Sequence, residues 1–153
     1  MSDYDLLCEQ LRGLGESEAH WLPLLSNASA LLHEALPDLN WAGFYLMENG
    51  SLMLGPFQGK LACIRIPLGR GVCGTAAAED RTLLVPDVHA FPGHIACDCA
   101  SNAEIVVPLH REGRVIGVLD IDSPIPGRFT EADRAGLEAF ARVIEETAEW
   151  REL

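Results

Sequence analysis

The 153-residue sequence has no uninterrupted apolar stretch of about 18 residues, the length from which a membrane-spanning helix is read, so it predicts no membrane span. Its first residues, MSDYDLLCEQLRGLG, lack a positively charged leader and a small-residue cleavage pattern behind an apolar run, which predicts a cytoplasmic protein. Basic residues are scarce, with 11 Lys+Arg against 23 Asp+Glu and a net charge of −12, which opposes a broad phosphate-contacting surface and so argues against a nucleic-acid partner. Five cysteines are too few for a small disulfide scaffold at this length, and their odd number leaves at least one unpaired within the chain; a reducing compartment is the simpler setting. Neither G-x-x-x-x-G-K-[ST] nor G-x-G-x-x-G occurs in the glycine-bearing stretch Gly69–Gly74, so nucleotide binding gains little support.

What is there is apolar, at 48% of residues, without internal repeat, low-complexity tract or linker; the expectation is one globular domain over residues 1–153. Leu6, Leu7, Leu11 and Leu14 recur at helical spacing over Tyr4–Leu14, where Gly13 and Gly15 interrupt the pattern. A second helix is expected over Ser17–Leu36, ended by Pro37. From Trp41 the pattern changes to short β-prone runs. WAGFYLM and SLMLGPF flank Glu48-Asn49-Gly50, a tight-hairpin signal. Further strands are expected near Ala62–Ile66, Leu83–Val85, Glu104–Leu109 and Val115–Ile121, with a small-residue helix over Thr75–Glu79 and an ordered loop over Asp87–Ala100. Thr130, with Asp133 three residues on, opens a closing helix whose Leu137, Phe140, Ala141, Val143 and Ile144 form one apolar face. Strands and helices do not alternate regularly, so the fold class is α/β of the α+β kind, a mainly antiparallel central sheet flanked by helices.

Chemistry-bearing residues concentrate in the middle of the chain. Cys63, Cys73, Cys97 and Cys99 lie between residues 60 and 100, whereas Cys8, alone on the first helix, reads as packing. Cys73 and Cys97 stand beside glycine or loop segments that can expose a thiolate. Cys73, Cys97 and Cys99 with His89 or His94 could supply four zinc ligands, but no paired C-x-x-C knuckle orders them. His89 and His94 otherwise brace the Pro92-Gly93 turn, and Asp87 holds its own turn. Glu104, Asp120 and Asp122 interrupt runs of Ile, Val and Leu. Alternation puts Asp120 and Asp122 on one face, hairpin pairing brings Glu104 across, and the three could frame a cationic ligand group, cap loop amides or face solvent. Trp41 and Tyr45 flank Gly43 on one strand face, which leaves room between two aromatic walls for a small apolar or sulfur-containing group, or makes an ordinary aromatic core.

GPFQGKLAC (residues 55–63), Gly71-Val72-Cys73-Gly74, Asp87-Val88-His89, FPGHIACD (residues 91–98) and GVLDIDS (residues 117–123) closely resemble the free methionine-(R)-sulfoxide reductase family, with matching spacing from Trp41 to Phe129 and flanking helices that fit its GAF-type domain. The resemblance implies reduction of free methionine-(R)-sulfoxide, thioredoxin as reductant and no metal or organic cofactor, and a second copy of the chain is a candidate partner. It carries the nucleophile to Cys97, a resolving thiol to Cys73, a second recycling thiol to Cys63, the acidic substrate pocket to Glu104, Asp120 and Asp122, and the aromatic pocket to Trp41 and Tyr45. Cys99 departs from the family pattern. The alternative is a non-catalytic GAF module that senses a small molecule.

Overall fold

Residues 3–95 and 100–153 are described by a computed structural model. Asn49-Gly50 turns the chain between β1 (Trp41–Glu48) and β2 (Ser51–Gly59) with φ of 51° and 79°, the two left-handed conformations that a hairpin matched to strand twist requires. Glu112-Gly113, with φ of 53° and 77°, does the same between β5 (Ala103–Arg111) and β6 (Arg114–Ser123). With β3 (Arg65–Pro67) and β4 (Leu83–Val85) these strands form one six-stranded sheet in the order β3-β2-β1-β6-β5-β4, and all its pairings are antiparallel.

Side-chain alternation divides the sheet into two faces. Ala42, Phe44, Ile105, Val107, Leu119 and Ile121 point to one face and are covered by α1 (Asp3–Ser17), α2 (Trp21–Ala35) and α4 (Glu131–Thr147), which contribute Leu7, Leu11, Leu25, Leu32, Leu137, Phe140 and Ile144. Full burial of each large aliphatic or Phe side chain stabilises by about 1.5–3 kcal/mol, so this layer holds the fold together. The other face is covered by the short helix α3 (Gly71–Glu79) and the loops around it, over Trp41, Tyr45, Val106 and Val118. That thinner layer contains the polar site.

The expected capping box at α4 is present in full: Thr130 accepts from the Asp133 N–H, and Asp133 accepts from the Thr130 N–H at 2.8 Å. Several expected boundaries differ. The first helix runs through Gly13 and Gly15 to Ser17, because a Cβ at Gly15 would run into Thr147 of α4; the glycine permits helix contact rather than ending the helix. The second helix starts only at Trp21, capped by the His20 ring, which accepts from the Leu22 N–H at 3.2 Å. The strand expected over Ala62–Ile66 is shifted to Arg65–Pro67, paired with Ser51–Met53 of β2, and Cys63 is left outside the ladder.

Candidate active site

Pairing register assembles the site. Asp122 lies opposite both Trp41 and Glu104, and Asp120 lies opposite Gly43 and Val106, so the aromatic and acidic residues share the α3-side face. Trp41, Tyr45, Glu104, Asp120, Asp122 and Cys73 line one cleft. The expected slot between Trp41 and Tyr45 is not open. Their rings stack on each other with centroids 5.8 Å apart, Phe57 stacks on Trp41 at 5.1 Å, and Phe57 occupies the space over Gly43. The aromatics therefore form a single wall. It is tied to the neighbouring loop by Trp41 Nε1 donating to the Lys60 carbonyl at 3.2 Å and the Tyr45 hydroxyl donating to the Cys63 carbonyl at 3.1 Å.

Glu104, Asp120 and Asp122 are 8%, 5% and 9% exposed. Ligand-type atoms of Cys73, Glu104 and Asp120 lie within 4.8 Å of one another. At that separation two ionised carboxylates repel by roughly 3.5 kcal/mol or more, taking an effective dielectric of about 20, and burial adds its own penalty. One of the acids must then keep its proton. Burial first, then the charges of Asp120 and Asp122, push Glu104 well above the ordinary carboxylate range. Burial also raises Asp120, but its hydrogen bonds from Glu104 and Cys73 favour the ionised form. The proton thus sits on Glu104 and is donated towards Asp120, whose Oδ1 is buried without a hydrogen-bond partner among the described residues. These three ligand-type atoms are close enough for a metal ion, yet an ion there would have to displace protons from Glu104 and from the Cys73 thiol.

The cysteines separate by environment. Cys73, in the first turn of α3 rather than in the loop the sequence predicts before a helix at Thr75, is 3% exposed and free, with Sγ 3.9 Å from Glu104 Oε2. Burial, then the charge of Asp120, push its thiol well above its ordinary value, the opposite of what an attacking thiolate needs. Cys63, by contrast, is half-buried and disulfide-bonded, beside the cleft-lining Ala62. Cys8 is buried and free, packed in the helical layer. Cys97 and Cys99 lie outside the described residues. Asp87 accepts from the His89 N–H at 3.0 Å and holds its turn, while His89 Nε2 meets Asn102 at 3.1 Å and His94 lines the cleft.

Sequence reasoning missed several walls of the cleft. Ser101, 6% exposed, accepts from Asn40 Nδ2 at 2.9 Å and has no motif to flag it. Arg70, Gly71 and Val72 bring the N-terminus of α3 to the cleft, and Gly71, at φ 64°, packs under Ile95 where a Cβ would crowd it. First-turn N–H groups have no acceptor within a helix, so this end carries partial positive charge. The paired glycines of Gly71-Val72-Cys73-Gly74 were the available signal.

The sequence matches the GAF domain family over residues 21–147, so a GAF fold with an embedded small-molecule cleft is the class defined by these features. The chain is 55% identical over 142 residues to the free methionine-R-sulfoxide reductase of Escherichia coli, covering 93% of this chain and 86% of that one. It is also similar to the structure of fRMsr of Staphylococcus aureus in complex with substrate (52% identity, 97% of each chain, TM-score 0.91) and to free methionine-R-sulfoxide reductase from Neisseria meningitidis in complex with its substrate (45% identity, 96% and 91%, TM-score 0.91). Within the GAF class the chain belongs to the free methionine-R-sulfoxide reductase family.

Proposed function

We propose that the protein reduces free L-methionine (R)-S-oxide to methionine by thiol chemistry in this cleft. The observation that carries the reading is the buried carboxyl group of Glu104, pushed well above the ordinary carboxylate range by burial and by the charges of Asp120 and Asp122 beside it. A sulfoxide oxygen needs a proton as its bond to sulfur breaks, and the substrate ammonium needs fixed negative charge; one cluster supplies both. The Trp41–Tyr45 wall receives the methyl-thioether end, and the first-turn N–H groups of Val72 and Cys73 suit the substrate carboxylate. Enclosure of both termini disfavours peptidyl sulfoxides, which lack the ammonium group.

In this mechanism the Cys97 thiolate attacks the sulfoxide sulfur while Glu104 protonates the oxygen. The oxygen passes to Cys97, which becomes a sulfenic acid, and methionine leaves reduced by two electrons. The Cys63 thiol then attacks the sulfenic sulfur and expels water, forming a disulfide that thioredoxin reduces by exchange. Of the two recycling thiols that the resemblance implies, Cys63 is the one that resolves, being disulfide-bonded, and Cys73 serves the acid cluster as a neutral donor. Ligand binding alone does not require a disulfide beside the cleft, which favours the enzyme. Thiol recycling suits the cytoplasm, and no helix among the described residues is long and apolar enough to cross a membrane.

Thioredoxin-dependent turnover of the separated free (R)- and (S)-sulfoxides, with mass mapping of the disulfide, tests the proposal. Turnover of (R) alone is expected; equal turnover of both, or of neither, overturns it.

A further inference from the structure

Of the six large apolar side chains left in water among the described residues, three stand within five positions of Cys63: Leu61 at 90% exposure, Ile64 at 72% and Leu68 at 40%. The segment is held in place, since the Ile64 carbonyl accepts from the Leu54 N–H at 2.9 Å beside the edge strand β3. Charged side chains on an edge are an ordinary defence against stray pairing, but an exposed Leu and Ile are not; each leaves about 1.5–3 kcal/mol of burial unused. The charge here is also unlike the rest of the chain. From Asn49 to Ala78 the sequence has no Asp or Glu, and its charges are Lys60, the chain's single lysine, Arg65 and Arg70, in a protein of net charge −12. Arg65 pairs with Glu48, whereas Lys60 has no acidic partner among the described residues.

We propose that Lys60–Arg65 is the docking surface for the protein dithiol that reduces the enzyme, a reductant with an apolar rim around its thiolate and an acidic flank. This rests on the thiol-cycling reading of the same site. The reductant's thiolate attacks Sγ of Cys63, the enzyme disulfide breaks and its other sulfur leaves as a thiolate. The reductant's second thiol then attacks the mixed disulfide, freeing Cys63 and leaving the reductant oxidised by two electrons. The apolar pair supplies the desolvated contact and Lys60 the long-range attraction, which is screened by salt.

The test compares two reductants on free methionine-(R)-sulfoxide, thioredoxin and the small dithiol dithiothreitol, in the wild type, Lys60→Glu, Ile64→Asp and, should either fold poorly, Lys60→Ala and Ile64→Ser. Expected are a rise of about tenfold or more in KM for thioredoxin, loss of its salt dependence in the Lys60 variants, and dithiothreitol turnover within twofold of wild type. A thioredoxin variant lacking its second cysteine should be trapped on Cys63. An unchanged KM for thioredoxin, a change in oligomeric state in its place, or trapping on another cysteine overturns the docking surface. Absence of dithiothreitol turnover in the wild type would instead refute the underlying function.

Discussion

Glu104→Gln should make the protein more stable and far less active, and the gain in stability should grow with pH. Glutamine is close in shape to the protonated carboxyl that the fold holds. In the unfolded chain Glu104 releases its proton near the ordinary value of 4.5, whereas in the fold burial and the adjacent Asp120 and Asp122 keep it bound. The folded state therefore binds one more proton than the unfolded state above that value, and wild-type stability falls as pH rises, by about 1.4 kcal/mol per pH unit for this group. The direct repulsion of two carboxylates within 4.8 Å, a few kcal/mol at an effective dielectric of about 20, sets the scale of what the bound proton relieves. Urea unfolding of the reduced wild type and Glu104→Gln from pH 4.5 to 7.5 reads the difference. Curves that separate with rising pH, together with a loss of about 10²–10⁴ in turnover, are expected. Parallel curves would mean that Glu104 is ionised in the fold and cannot be the proton donor.

Cys63→Ser should release one methionine per chain and then stop with thioredoxin, while Cys73→Ser, which keeps a donor towards Glu104, should cycle within severalfold of wild type; steady-state and single-turnover assays separate the two. Tyr45→Phe removes the hydrogen bond to the Cys63 carbonyl, costs about 1 kcal/mol of stability in denaturant titration and slows disulfide closure more than methionine release. His110 accepts or donates between Asp80 at 2.6 Å and Glu145 at 2.7 Å. Although its burial opposes the charge, those two carboxylates hold its pKa above the ordinary value, so their clamp is complete below about pH 6.5 and is lost as pH rises through the raised value. His110→Ala should lower stability at pH 6 by about 1 kcal/mol or less, the pair being partly exposed, and by less again at pH 8.5. Thr130→Ala should cost about 1 kcal/mol through the lost cap, with activity unchanged.

The parts of this fold that were legible are those set by local chemistry. Asn49-Gly50 fixes the hairpin because few other pairs take two left-handed conformations cheaply, and Thr130 with Asp133 fixes the start of α4. Strand alternation was enough to put Asp120 and Asp122 on one face, and hairpin pairing to bring Glu104 across from Asp122. What was not legible depends on partners remote in sequence. Gly15 reads as a helix stop until Thr147 is seen packed on it, and the room over Gly43 reads as vacant until Phe57 fills it. The same holds for the thiols. Cys63 and Cys73 differ in surroundings that letters do not show, since one lies half-buried off the sheet edge and the other among three buried carboxyls.

The most direct test reacts fully reduced protein with free methionine-(R)-sulfoxide in the absence of any reductant, counting methionine and mapping the disulfide by mass. One methionine per chain with a Cys63–Cys97 disulfide is expected, and none from Cys97→Ser. Methionine formed by Cys97→Ser, or none formed by the wild type, would contradict thiol reduction in this cleft.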